Sequence, residues 1–139
     1  MSDVVERIEH DHREVEQLFA EFKADPSKAK AVEICDELDK HTRAEDTAVY
    51  PVFADELSEE HDKVEEAEEE HQEARQLIGR VRNTEDGEHL VELMAELERA
   101  IQHHVHEEET EMLPKARREL PADELERLGD EFEDAKDAG

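Results

Sequence analysis

The segments His41-Thr-Arg-Ala-Glu45-Asp46-Thr47 and His104-Val-His-Glu-Glu108-Glu109-Thr110 repeat one pattern: His, three residues, Glu, a second acid, Thr. Each copy reaches a proline ten positions after its His, Pro51 in the first and Pro114 in the second. A second matched pair is Asp11-His12-Arg-Glu14-Val-Glu-Gln17-Leu18 and Glu70-His71-Gln-Glu73-Ala-Arg-Gln76-Leu77. The chain thus reads as a duplicated unit, with His12, His41 and Glu45 in the first half and His71, His104 and Glu108 in the second. Its fold must give both copies equivalent surroundings.

Helical periodicity supplies such a fold. The first helix, from about Asp3 to Phe22 or Lys23, carries Val5, Ile8, His12, Val15, Phe19 and Phe22 on one stripe. Asp25-Pro26 marks a break, with Asp25 as cap and Pro26 at the first helical position. The second helix shows Ile34, Leu38, His41, Glu45, Ala48 and Val52 and runs to about Phe53, Pro51 kinking or ending its last turn. Ser58 is a plausible cap for the third, with Val64, Ala67, His71, Ala74, Ile78 and Val81, closed by the turn-rich stretch 83–87. The fourth carries Leu90, Met94, Leu97, Ile101, His104, Glu108 and Met112 up to Pro114. Four amphipathic helices with short connections predict an all-α protein, an up-down-up-down four-helix bundle over residues 1–118. A short fifth helix from Pro121, with Leu125, Leu128 and Phe132, and an acidic tail would fill residues 119–139 as a cover on the bundle.

His12, His41, Glu45, His71, His104 and Glu108 fall in phase with the apolar residues and therefore point inward. A buried carboxylate or imidazole without partners is expensive. Two explanations serve: a closed polar network, or metal coordination. Residues four apart lie one turn apart on the same helix face, so His-x-x-x-Glu can hold one ion by its imidazole and lend its carboxylate to a neighbour. With Glu45 and Glu108 as bridges, His12 and His71 would complete two ligand sets. Imidazole and carboxylate without thiolate suit iron, manganese or zinc, and a shared pair of carboxylates with four His favours iron. His10, His61, His89, His103 and His106 fall out of phase or near helix starts and read as surface residues. Tyr50, just before Pro51, is either packing or a catalytic helper beside the ions, where a phenol could donate a hydrogen bond or be oxidised.

Composition narrows the partners. A formal net charge of -27 argues against nucleic acid and anionic membranes, which need Lys and Arg. It concentrates cations around the protein, as would suit either salt-rich surroundings or simply an acidic mesophile or thermophile protein. Cys35 is the single cysteine, which excludes an intramolecular disulfide. With no basic-then-apolar leader and no long apolar run, a cytoplasmic location is expected.

The motifs Asp11-His12, His41-Thr-Arg-Ala-Glu45-Asp46, Glu70-His71 and His104-Val-His-Glu-Glu108-Glu109 resemble those of the hemerythrin-like (HHE cation-binding) family over about residues 1–118. The resemblance implies a four-helix bundle around two non-haem iron ions, oxo- or hydroxo-bridged, reactive towards dioxygen, hydrogen peroxide or nitric oxide. Oxygen carriers of the family have a fifth His, from His-x-x-x-His on the third helix. Here the position four after His71 is Arg75, and the position four before it is Ala67. The chain looks instead like the bacterial subgroup with His, His-x-x-x-Glu, His, His-x-x-x-Glu, some of whose members resemble catalases in decomposing hydrogen peroxide. A peroxide-reacting di-iron protein is the leading expectation. A module that binds or senses dioxygen, nitric oxide or iron without turnover is the alternative, and a metal-free polar core is the third.

Overall fold

A computed structural model describes residues 2–138, and among these there is no strand. The order is α1 (Val4–Ala24), α2 (Lys28–Ala44), a π-helical turn π1 (Glu45–Val49), α3 (Tyr50–Glu56), α4 (His61–Arg82), α5 (Glu88–Glu107), a second π-helical turn π2 (Glu108–Met112), α6 (Leu113–Glu119) and α7 (Ala122–Ala138). Because α2–π1–α3 and α5–π2–α6 are continuous, these segments make five rods. α1 packs on α2, α4 on α5, α2 on α4, and α7 on α1, α2 and π1. None of the described helices is long and apolar enough to cross a membrane.

The ends of the rods follow from local chemistry. Asp3 and Glu6 cap α1 reciprocally, each side chain accepting from the other's backbone N–H. Ser27, not Asp25, caps α2, its hydroxyl accepting from Lys30 N–H, so the helix starts after the Asp25-Pro26 dipeptide rather than at it. Glu60 occupies the cap position of α4; Ser58, expected there, instead binds the Glu119 carboxylate. Lys28 Nζ donates to the carbonyls of Val81, Arg82 and Thr84, closing the C-terminal end of α4 with a cation.

Neither Pro51 nor Pro114 ends its rod. Tyr50 N–H reaches back five residues to Glu45 O, and Leu113 N–H does the same to Glu108 O. This widened turn carries the chain past a residue that has no N–H to give, and the prolines open the next α segments. The repeated threonines serve the same turns: Thr47 Oγ1 donates to Arg43 O and Thr110 Oγ1 to His106 O.

The apolar interior is divided in two. One cluster gathers Val5, Ile8, Phe53, Val64, Leu113 and the α7 residues Leu125, Leu128 and Phe132. The other gathers Val15, Phe19, Ile34, Leu38, Ile78, Met94 and Leu97. Between them lies a polar layer, so that α1 runs Ile8, His12, Val15 and α4 runs Ala67, His71, Ala74. The C-terminal segment differs from expectation, being a helix through Ala138 with its apolar face in the first cluster rather than a short helix and a tail.

Candidate metal centre

The six side chains expected at the centre share one buried layer: His12, His41, Glu45, His71, His104 and Glu108 are each at most 6% exposed. The other five histidines are exposed. Two groupings have ligand atoms within 4.8 Å of one another and could each hold a metal ion: His12, His41, Glu45 and Glu108, and Glu45, His71 and His104.

The carboxylates reach across the halves. Glu45 Oε1 lies 3.3 Å from His41 Nε2, 3.1 Å from His71 Nε2 and 3.9 Å from His104 Nε2. Glu108 Oε1 lies 3.0 Å from His12 Nε2, and its Oε2 3.9 Å from His104 Nε2. The Nε2 atoms of His71 and His104 are 3.1 Å apart. Glu45, from the first half of the sequence, thus touches imidazoles of both halves, and Glu108 does likewise.

Whether these residues fit a cation is decided by their unsatisfied atoms. His12 Nε2, His41 Nε2, Glu45 Oε2 and Glu108 Oε1 are buried without a hydrogen-bond partner, although His12 Nε2 and Glu108 Oε1 are only 3.0 Å apart. Orphaned lone-pair atoms converging in a core are costly for a polar network and are the donor set a cation needs. The residues fit.

The Nδ1 side of every ring is held by a carboxylate that the sequence reading left unassigned. His12 Nδ1 pairs with Glu109 at 2.6 Å, His41 with Asp11 at 2.9 Å, His71 with Asp46 at 2.8 Å and His104 with Glu70 at 2.8 Å. Donation of Nδ1–H to a carboxylate leaves Nε2 as the lone-pair atom aimed inward. The acids have partners in turn: Arg13 on Glu109, Arg75 on Asp46, Lys136 on Asp11, and the exposed His103 3.4 Å from Glu70. Each acid stands next in sequence to a ligand candidate of another ring: Asp11 precedes His12 but holds His41, and Glu109 follows Glu108 but holds His12. The repeated acid–His and Glu–acid doublets were the available signal.

Electrostatics agree with geometry. Burial pulls His41 down, but Glu45 and Asp11 outweigh it and raise the ring from 6.5 to about 10. Burial also opposes the charged forms of His71 and His104, and again carboxylate partners prevail and raise both. Burial pushes Glu45 up, yet His41, His104 and His71 hold it well below its usual range. Six carboxylates face three permanent cations here, and the field that retains protons on the rings equally attracts a metal ion.

Tyr50 is fully buried in this layer. Its hydroxyl donates to Glu108 Oε2 over 2.5 Å, with His104 Nε2 at 3.2 Å and Glu45 Oε1 at 3.3 Å, and its ring stacks on His71. Burial, Glu108 and Glu45 all raise its pKa well above the ordinary value, so the phenol keeps its proton. A cavity of about 40 Å³ is lined by His12, His41 and His104 and walled by Val15, Phe19, Leu38, Ile101 and Val105.

Comparison with known families matches residues 3–116 to the hemerythrin HHE cation binding domain. No curated protein and no solved structure gives a match.

Proposed function

The chain belongs to the hemerythrin HHE cation-binding domain family, and from that premise we propose that it holds two iron ions and decomposes hydrogen peroxide. In this reading residues 1–118 form an up-down-up-down four-helix bundle around the ions, and residues 119–139 supply an added helix. His12 and His41 would hold one ion and His71 and His104 the other, with Glu45 and Glu108 between them. The observation that carries the reading is the convergence of four buried, unpartnered nitrogen and oxygen atoms from three rods. Iron is favoured over zinc or manganese because shared carboxylates with only four imidazoles leave room for an oxygen species.

Bound iron would supply electron exchange and Lewis acidity. The chain's own residues supply the rest. The four Nδ1–carboxylate bonds fix ring orientation and tautomer. Tyr50 holds a proton at its hydroxyl beside Glu108 and His104, in place for an oxidant that must gain protons as it is reduced. Val15, Phe19, Leu38, Ile101 and Val105 give the cavity beside His12, His41 and His104 an apolar wall, and it admits a molecule of about the size of water.

That apolar wall favours a second reading, binding of dioxygen or nitric oxide without turnover. A peroxide assay on the iron-loaded protein separates the two. Oxygen evolution well above free iron, lost in Glu108→Ala, is expected from the first. A spectral change on exposure to gas, with no oxygen evolved from peroxide, would replace it with the second.

A further inference from the structure

Among the four carboxylates that hold the rings, one has a partner from outside the segment that matches the family. Arg13, Arg75 and His103 all lie within residues 3–116, whereas the group on Asp11 is Lys136, in the last turn of α7. Lys136 Nζ donates to Asp11 Oδ1 at 2.8 Å, and Asp11 Oδ2 accepts from His41 Nδ1 at 2.9 Å. The ammonium group is largely shielded from water, with its side chain 16% exposed, so this is no floppy surface pair.

Two other residues on the same face of α7 seat it there. Gly129, Phe132 and Lys136 follow one another by three and four positions, one helical stripe. A Cβ on Gly129 would stand 3.0 Å from the backbone of Asp3 and Val4, so the glycine lets α7 lie against the start of α1 without pushing it back by a few tenths of an ångström. Phe132 is buried and stands edge-on to the His41 ring, centroids 5.4 Å apart. Lys136 then falls onto Asp11. His41 is therefore met directly by Phe132 and, through Asp11, on its Nδ1 side by Lys136, both from one helix.

We propose that α7 is a working part of the metal centre, with Lys136 as the positioning residue for His41, and that it sets how firmly the ion on the His12 and His41 side is held. The proposal rests on the reading that the cluster holds two ions. It makes the halves of a duplicated site unequal: His71 depends on Arg75 from within the bundle, His41 on a helix that the repeat does not contain. Lys136 touches no ligand atom aimed at the ions and acts only through Asp11.

The test uses the full chain loaded with iron(II), measuring iron per chain, the rate of iron loss to a chelator and the Mössbauer spectrum. In Lys136→Met, which keeps the stem and removes the charge, one of the two ions should be lost roughly 10–100-fold faster, the range typical for removal of an outer partner. One of two spectral components should change and the other stay. Lys136→Arg should restore slow release. Gly129→Ala, which crowds the start of α1 by a few tenths of an ångström and leaves Lys136, Asp11 and His41 unsubstituted, should loosen the same ion. Release from Lys136→Met at the unsubstituted rate, or equal acceleration of both ions, overturns this proposal while leaving the two-ion reading intact. An unsubstituted chain that takes up no iron overturns both.

Discussion

On the side of His12 and His41, two imidazole nitrogens lack hydrogen bonds, and both rings, with His104, line a small cavity walled by valine, leucine, isoleucine and phenylalanine. On the side of His71 and His104, the corresponding nitrogens touch each other, and the Tyr50 ring and hydroxyl fill the space beside them. The ligand types are matched, so the contrast arises next to them. Tyr50 and Leu113 hold equivalent places, each directly after a π turn and directly before a proline. One copy of the repeat places a phenol against the centre, whereas Leu113 of the other packs into the first apolar cluster. Duplication supplied two like ligand sets, and position 50 sets them apart by bringing a phenol to one of them.

The sharpest way to break that contrast is to remove what the sides share. Glu45→Ala takes away the carboxylate that contacts His41, His71 and His104, and metal content should fall from two ions per chain towards none. A chain still holding both would show that the imidazoles suffice. Next in size, Tyr50→Phe removes the hydroxyl that touches Glu45, His104 and Glu108, and peroxide turnover should fall about 100-fold or more with iron content unchanged. Loss of iron instead would give the phenol a structural role.

A smaller effect concerns protons. His41, raised to about 10, stabilises the metal-free fold fully below its ordinary 6.5, and that contribution disappears as pH climbs through about 10. Thermal stability of the metal-free protein should therefore fall between pH 7 and 10. Affinity for the metal should rise over the same interval, because the cation displaces those protons. Parallel falls in both would contradict the proton–metal exchange. The smallest expected change is at the cavity: Ile101→Phe should slow the binding of nitric oxide to the iron-loaded protein several-fold and leave iron content alone, as stopped-flow absorbance would report.

The ligand candidates were legible because they keep the period of the apolar stripes; His12 stands in line with Ile8 and Val15, and Glu108 with Met112. Their outer partners were not, for a geometric reason. Glu109 is rotated about 100° from Glu108 around the helix, which reads as solvated on a single rod, yet that rotation aims it at His12 on another. The prolines pointed to a kink or an end, since spacing alone does not distinguish a helix that stops from one that widens for a turn. The length of α7 was hidden by its acidic exposed face, which resembles a tail when Phe132 is taken as the last anchor. Lys136 carried no signal in the sequence because its partner, Asp11, lies at the far end of the chain.

The most direct measurement is metal analysis of the purified full chain together with a spectrum sensitive to coupling between neighbouring ions. The account predicts two iron ions per chain that are magnetically coupled through shared carboxylates. Iron absent, present as single uncoupled ions, or retained undiminished when both Glu45 and Glu108 are replaced by alanine would contradict it.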